Sequence, residues 1–363
     1  NFSFEKRILD SMVGGVSALD VPRLDIGDIE KAHRFIRTYG YDLSQETDRE
    51  KAWAIHRRAV ILLRENLLED GEVIPEVLTD PNQLRDIGYL LVYASTLDHS
   101  KNIMQKWSCA ILRVMHVVVH LSNDLSRFFL ESIQEQILKP ILAHIHTDPV
   151  LGGTFLRGPN DQIKLYRFDV KPLKASDSSA IKLLAKSNLV ALNLLDHVGI
   201  RFVTRTRFDA FSVIRFLAEH NLVSFPHIIP DQSANTLYPV NIFLEVMEEL
   251  KARSPVVTVE ETENILEARL REAEQRAEYN SKENIYSSKT YRFVKFITRR
   301  LITTELKDGD KKKELSFFYP YEIQVMDYDT YINNITGPAA HDKYKERQKI
   351  AARRRVFGMK FEE

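Results

Sequence analysis

Leu195-Asp196-His197-Val198-Gly199-Ile200-Arg201-Phe202-Val203 is the stretch on which the fold turns. A helical pattern ends before it, and a strand begins within it. A strand that runs Ile-Arg-Phe-Val sends apolar side chains to one face and its charged residue to the other. An Asp at a strand end is rigidly placed, which suits a ligand to a hard cation. The competing reading of Asp196 with Arg201 is a surface ion pair beside a buried strand, an arrangement that contributes little.

Working outward, Ile163 to Val170 alternates and predicts a strand, and about Asp177 to Leu194 predicts a helix. Downstream, a helix is expected over Asp209 to His220 and a short strand over Phe225 to Ile229. A loop follows to Pro239, then a helix over Asn241 to Lys251. Val259 to Tyr279 reads as a strongly charged helix with a thin apolar stripe at Ile265, Leu266, Ala268 and Leu270, and so as a solvated, projecting one. Strands over Tyr291 to Thr303 and Leu315 to Met326 are joined by a charged turn, Lys307 to Lys313, which makes a hairpin. Helices over Asp329 to Ile335 and Ala340 to Arg355 end the chain. Strands separated by helices, then a hairpin, give an α+β domain with a mixed sheet over residues 160–363, carrying a helical insertion at about 240–280.

Residues 1–148 read as an all-helical domain, with no strand pattern. Asp28 is placed to cap a helix ending near Tyr39, Thr47-Asp48-Arg49-Glu50 has capping-box spacing, and Asp80-Pro81 starts another helix. Helices follow over about Lys101 to Leu121 and Leu125 to Ile145, the second kinked at Pro140. His116, His120 and Asp124 share one helical face. The His–Asp doublet that a metal-dependent hydrolase needs is not present, since Asp98-His99 reverses it, so these histidines read as structural.

At 363 residues the chain has room for two domains. Lysines plus arginines and aspartates plus glutamates number 51 each, so no net field steers the chain toward nucleic acid or anionic lipid. The single cysteine, Cys109, excludes an internal disulfide and in practice a Cys/His zinc site. The most apolar run, Cys109 to Leu121, is broken by Arg113, His116 and His120, so no membrane span is expected, and a cytoplasmic protein is the default.

Four clusters carry chemistry. Lys174-x3-Ser178-x3-Lys182 puts two ammonium groups and a hydroxyl on one helix face near free N–H groups, as a phosphate site needs. Asp196 with Arg201 is the second. Tyr291-Arg292-Phe293-Val294-Lys295 heads a strand with a ring that could stack on a base. In Tyr321-Glu322-Ile323-Gln324-Val325, Ile323 and Val325 should point inward and Glu322 and Gln324 to the other face. Asp196 and Glu322 together could hold Mg²⁺ against substrate phosphates.

The order of these clusters is similar to that in the synthetase domain of RelA/SpoT-type alarmone synthetases, over roughly residues 163–347. That family carries Lys-x3-Ser-x3-Lys, then Asp-x-x-Gly-Ile-Arg, a loop tyrosine, Glu-Ile-Gln and Ala-Ala-His-x-x-Tyr-Lys. Here these match Lys174, Ser178 and Lys182; Asp196, Gly199, Ile200 and Arg201; Tyr291; Glu322, Ile323 and Gln324; and Ala339 to Lys345 with His341. The resemblance implies a nucleotidyltransferase-like sheet and Mg²⁺-dependent transfer of pyrophosphate from ATP to the 3′-hydroxyl of GDP or GTP. It implies a metal on Asp196 and Glu322, Glu322 serving the attacking hydroxyl, ATP phosphates near Lys174, Ser178, Lys182 and Arg201, and an acceptor near Tyr291, Lys295, Gln324 and His341.

Departures cluster on the acceptor side. Pro172 stands where the family has Arg, with Lys171 or Arg167 near enough to substitute. Thr290 replaces Gly, Lys295 replaces His, Met326 replaces Arg, and Tyr331 and Ile335 replace His and Glu. A tRNA 3′ end is therefore an alternative acceptor, with Lys295, Arg299, Arg300, Lys311 to Lys313 and Arg353 to Arg355 as backbone contacts. A non-catalytic nucleotide-binding regulator is a further alternative, with the N-terminal helices or the 259–279 helix meeting a protein partner.

Overall fold

The computed structural model describes residues 13–21, 24–96, 102–122, 129–150, 152–171, 176–186, 195, 197–252, 257–281, 291–308, 311–336 and 341–358. In chain order the helices are α1 Ile29–Arg37, α2 Glu46–Asn66, α3 Pro81–Leu84, α4 Tyr89–Ala94, α5 Asn102–Ser122, α6 Leu130–Leu142, α7 Ser176–Ala185, α8 Arg207–Glu219, α9 Val240–Lys251, α10 Val259–Glu272, α11 Tyr328–Thr336 and α12 His341–Val356. The strands are β1 Ile145–Asp148, β2 Gly153–Arg157, β3 Gln162–Lys171, β4 Gly199–Thr204, β5 Ala234–Asn235, β6 Val294–Asp308 and β7 Lys311–Asp327. No helix among the described residues is long and apolar enough to cross a membrane. The chain forms two compact units. One takes residues 1–124, 175–194 and 345–363, and the other takes 125–174 and 195–344.

The first unit is helical. Asp28 caps α1 by accepting from the Lys31 N–H at 2.8 Å. The capping box expected at Thr47 is not used: α2 begins two residues earlier, at Glu46, with Gln45 at the cap position. The unit's buried residues include Leu62, Leu63, Leu90, Ile111, Val114, Leu184, Ala352 and Val356, so α7 and α12 belong to the same core as the N-terminal helices. Arg353 of α12 grips Glu72 with two hydrogen bonds of 2.6 and 2.9 Å, and this guanidinium holds the Glu72 carboxyl down at about 2. Arg355 donates to the carbonyls of Leu183, Leu184 and Lys186 at the end of α7, satisfying groups that a helix C-terminus leaves open.

The second unit is an α+β domain on a seven-stranded mixed sheet, ordered β1-β2-β3-β4-β7-β6-β5. Among the described strands only β4 and β7 run parallel; every other neighbouring pair is antiparallel. Ile200 and Phe202 of β4 and Ile323 and Val325 of β7 are fully buried, and they share a core with Ala210, Val213 and Leu217 of α8. The alternation read from sequence is thus realised: the apolar half of both strands faces α8.

Four sequence expectations are corrected. β1 and β2 form a hairpin where only a helix end and glycine breaks were expected. Strands of four and five residues are too short to show a period, and Gly152 and Gly153, with φ of +61° and +129°, make the turn. Phe225–His227 is a 3₁₀ turn instead of a strand, with Ile228 bridging Thr298. α10 does not project. Its Leu266 is fully buried against Tyr238, Ile242 and Val246, and Arg269 pairs twice with Glu249 of α9 at 2.7 Å. Arg269 is thus a cross-helix partner, which sequence alone reads as solvated. The β6–β7 hairpin also extends further than expected, with Lys307 opposite Lys312 still in the ladder.

Candidate phosphate-binding face of the sheet

Register puts the functional side chains of four strands in two adjacent rows. Directly paired residues of neighbouring strands share a face. One row reads Asp169, Arg201, Gln324, Lys295 across β3, β4, β7 and β6. The next reads Lys171, Gly199, Glu322, Ile297. The Asp-x-x-Gly-Ile-Arg strand and the Glu-Ile-Gln strand are therefore parallel neighbours, with Gly199 opposite Glu322 and Arg201 opposite Gln324. Glu322 and Gln324 lie on the face away from α8, as the alternation predicts, yet both are buried at 5% and 7% exposure.

Gly199 explains how Glu322 is covered. A Cβ at this position would lie 2.6 Å from Lys171 Cδ and 3.2 Å from its Cγ. The aliphatic chain of Lys171 occupies that space, crosses β4, and brings its ammonium onto Glu322 Oε1. Lys295 approaches from the other side, with Nζ 3.8 Å from Glu322 Oε2. Among the described residues, Glu322 Oε1 thus faces one ammonium and Oε2 the other. Arg201 donates from Nε and Nη2 to Gln324 Oε1, each at 3.3 Å. Arg167 donates to Asp169 Oδ1 at 2.7 Å, and its guanidinium lies 5.8 Å from the Tyr331 ring. Among the described residues four cationic side chains meet two carboxylates, an excess of positive charge suited to an anion.

Tyr291 stands just before β6, held by its neighbours. Asn334 of α11 brackets Arg292, accepting from its N–H at 3.2 Å and donating to its carbonyl at 2.8 Å. Thr236 accepts from the Phe293 N–H at 3.1 Å. Burial pushes the Tyr291 hydroxyl above its ordinary value; Arg201 opposes that, and Glu322 and Tyr344 add to it. Its hydroxyl is thus within electrostatic range of Arg201 and Glu322.

Ser178 and Lys182 lie on α7 in the first unit, Ser178 exposed and Lys182 half-buried, while Asp177 beside them pairs with Arg58. His341 opens α12, with its side chain outside the described residues. Lys174 and Asp196 are also outside the described residues. Sequence reasoning missed Asp169 and Asn334, which no motif marks. It noted Lys171 only as a substitute for a missing arginine.

Of the two carboxylates expected to hold Mg²⁺, Glu322 is described and Asp196 lies outside the described residues. Glu322 faces Lys171 and Lys295, and Asp169 is engaged by Arg167. Among the described residues no three His, Cys, Asp or Glu side chains could hold a metal together. The Mg²⁺ expectation therefore rests on Asp196.

His116 is in a different setting. It lines a cavity of about 150 Å³ in the helical unit with Phe35, Ile55 and Leu112, and its Nδ1 bonds the Tyr39 hydroxyl at 2.9 Å. Burial, then His120 and Arg355, pushes it down to about 4, so it is neutral at pH 7.

No protein-family model matches the chain, and no curated protein matches it in sequence. Among solved structures it is similar to the small alarmone synthetase 2 from Bacillus subtilis, at 12% identity and a TM-score of 0.25, over 64% of this chain and 90% of that one. It is likewise similar to a GTP pyrophosphokinase family protein from Streptococcus pneumoniae, at 13% identity and a TM-score of 0.25, over 64% and 88%. At these values the likeness carries no argument of its own; the residues on the sheet face have to.

Proposed function

We propose that this chain is a pyrophosphokinase of the RelA/SpoT type, which moves a pyrophosphate group from ATP to the 3′-hydroxyl of a nucleotide. One observation carries the reading: Arg201, Glu322 and Gln324, from motifs more than a hundred residues apart, lie in adjacent rows of one sheet face, with Arg201 and Glu322 within electrostatic range of Tyr291. Arg201, Lys171 and Lys295 would neutralise the phosphates, and such positioned charge supplies most of what phosphoryl transfer asks of a protein. Tyr291 would hold the acceptor base. Ser178 and Lys182 belong to the first unit, so the proposal is built on the sheet face alone. Mg²⁺ enters it only through Asp196.

The test is incubation with ATP labelled on its β-phosphate and either GDP or bulk tRNA. Label on GDP with release of AMP supports alarmone-type transfer. Label on tRNA keeps the chemistry and changes the acceptor. Nucleotide binding with no transfer to either acceptor would refute the enzyme and leave a regulator.

A further inference from the structure

We propose that Glu322 is the resident counter-ion of a two-lysine anion clamp, and that a pyrophosphate group binds by displacing it, without a divalent metal. The inference rests on reading this face as a phosphate site, and it names how that site takes its ligand. Lys171 and Lys295 come from strands three steps apart, about 14 Å at the backbone. Both nonetheless turn their ammonium groups onto one carboxylate. Gly199 is the structural condition for this, because any side chain there would occupy the path of Lys171. The carboxylate is almost wholly covered, at 6% side-chain exposure, while Lys171 and Lys295 are 24% and 26% exposed. The two cations are open to a ligand and the anion between them is not. Arg201 adds a third cation in the next row. Two converging ammonium groups with a guanidinium beside them fit two linked phosphoryl groups better than one.

A carboxylate held between two ammonium groups spends charge on them that a metal ligand would direct to the metal. It competes with an incoming anion for the same ammonium groups. Neutralising Glu322 while keeping its shape should therefore strengthen anion binding, whereas neutralising a metal ligand should weaken it. The two roles differ in sign.

The experiment is calorimetric titration of the full chain with inorganic pyrophosphate in buffer containing a chelator, repeated with Mg²⁺. The clamp predicts binding in chelator, about tenfold tighter in Glu322→Gln and at least about tenfold weaker in Lys171→Met, which keeps the aliphatic path over Gly199 and removes the charge. If Glu322→Gln fails to fold by circular dichroism, Lys171→Met and Lys295→Met decide the matter: both must weaken binding in chelator. Binding that needs Mg²⁺, or that is unchanged or weaker in folded Glu322→Gln, overturns the clamp. Transfer from ATP that persists in wild type alongside such a result leaves the pyrophosphokinase reading standing. Absence of pyrophosphate and ATP binding under both conditions overturns both.

Discussion

Lys171 meets Glu322 across an intervening strand, over the one residue between them that has no side chain. The contact joins residues 151 positions apart in sequence and fixes the charge arrangement of the whole face.

Gly199→Ala should break that relationship. The new methyl would sit 2.6 Å from Lys171 Cδ, so the lysine chain must leave its path and Glu322 loses one partner. Urea unfolding is expected to show a loss of about 1–3 kcal/mol. In a Lys171→Ala background the same substitution should cost much less, because the clash is gone. Equal costs in both backgrounds would contradict the packing account.

Arg201→Lys keeps the charge but removes the fork that meets Gln324. Under the proposed activity, transfer from ATP should fall by about 10²-fold with stability little changed. Activity within a factor of two of wild type would remove Arg201 from the phosphate contacts.

Asn334→Ala tests how Tyr291 is held. It leaves the Arg292 N–H and carbonyl without the side-chain amide that now satisfies both. Thermal unfolding should register about 1–3 kcal/mol of destabilisation. KM for the acceptor should rise more than KM for ATP, since Tyr291 faces the acceptor in the proposal. Parallel rises would count against that placement.

Acid should weaken the helical unit in two stages. His116 is held at about 4 in the fold against an ordinary 6.5, so the unfolded chain takes up the proton first. Its contribution is fully present above about pH 6.5 and is lost as pH falls toward 4, by up to about 3 kcal/mol. Glu72, held at about 2, contributes stability above about pH 4.5 that is lost as pH falls further. In His116→Phe the first stage in a plot of unfolding free energy against pH should shrink to what buried His56, also lowered by desolvation, contributes, and the second should remain.

Much of the sheet domain was legible in the sequence because its central elements carry a period. β3, β4 and β7 alternate, and the burial of Ile323 and Val325 follows from that alternation. β1 and β2 were not legible, since four or five residues beside two glycines show no period. The packing of α10 was hidden for another reason: Arg269 reads as solvated until Glu249 of α9 is brought to it. At the site, motif order marked Arg201, Glu322, Gln324 and Tyr291. The clamp on Glu322 was not marked, because it depends on strand register that only pairing reveals. Gly199 announced itself as a motif glycine without showing what needed the space.

The most direct measurement is transfer of the β-phosphate label from ATP to added GDP or tRNA, run on wild type and Arg201→Ala side by side. The account predicts AMP release matched by label on one acceptor in wild type, and loss of both in the variant. ATP left intact with both acceptors in folded wild-type protein, or label transfer undiminished in Arg201→Ala, would contradict it.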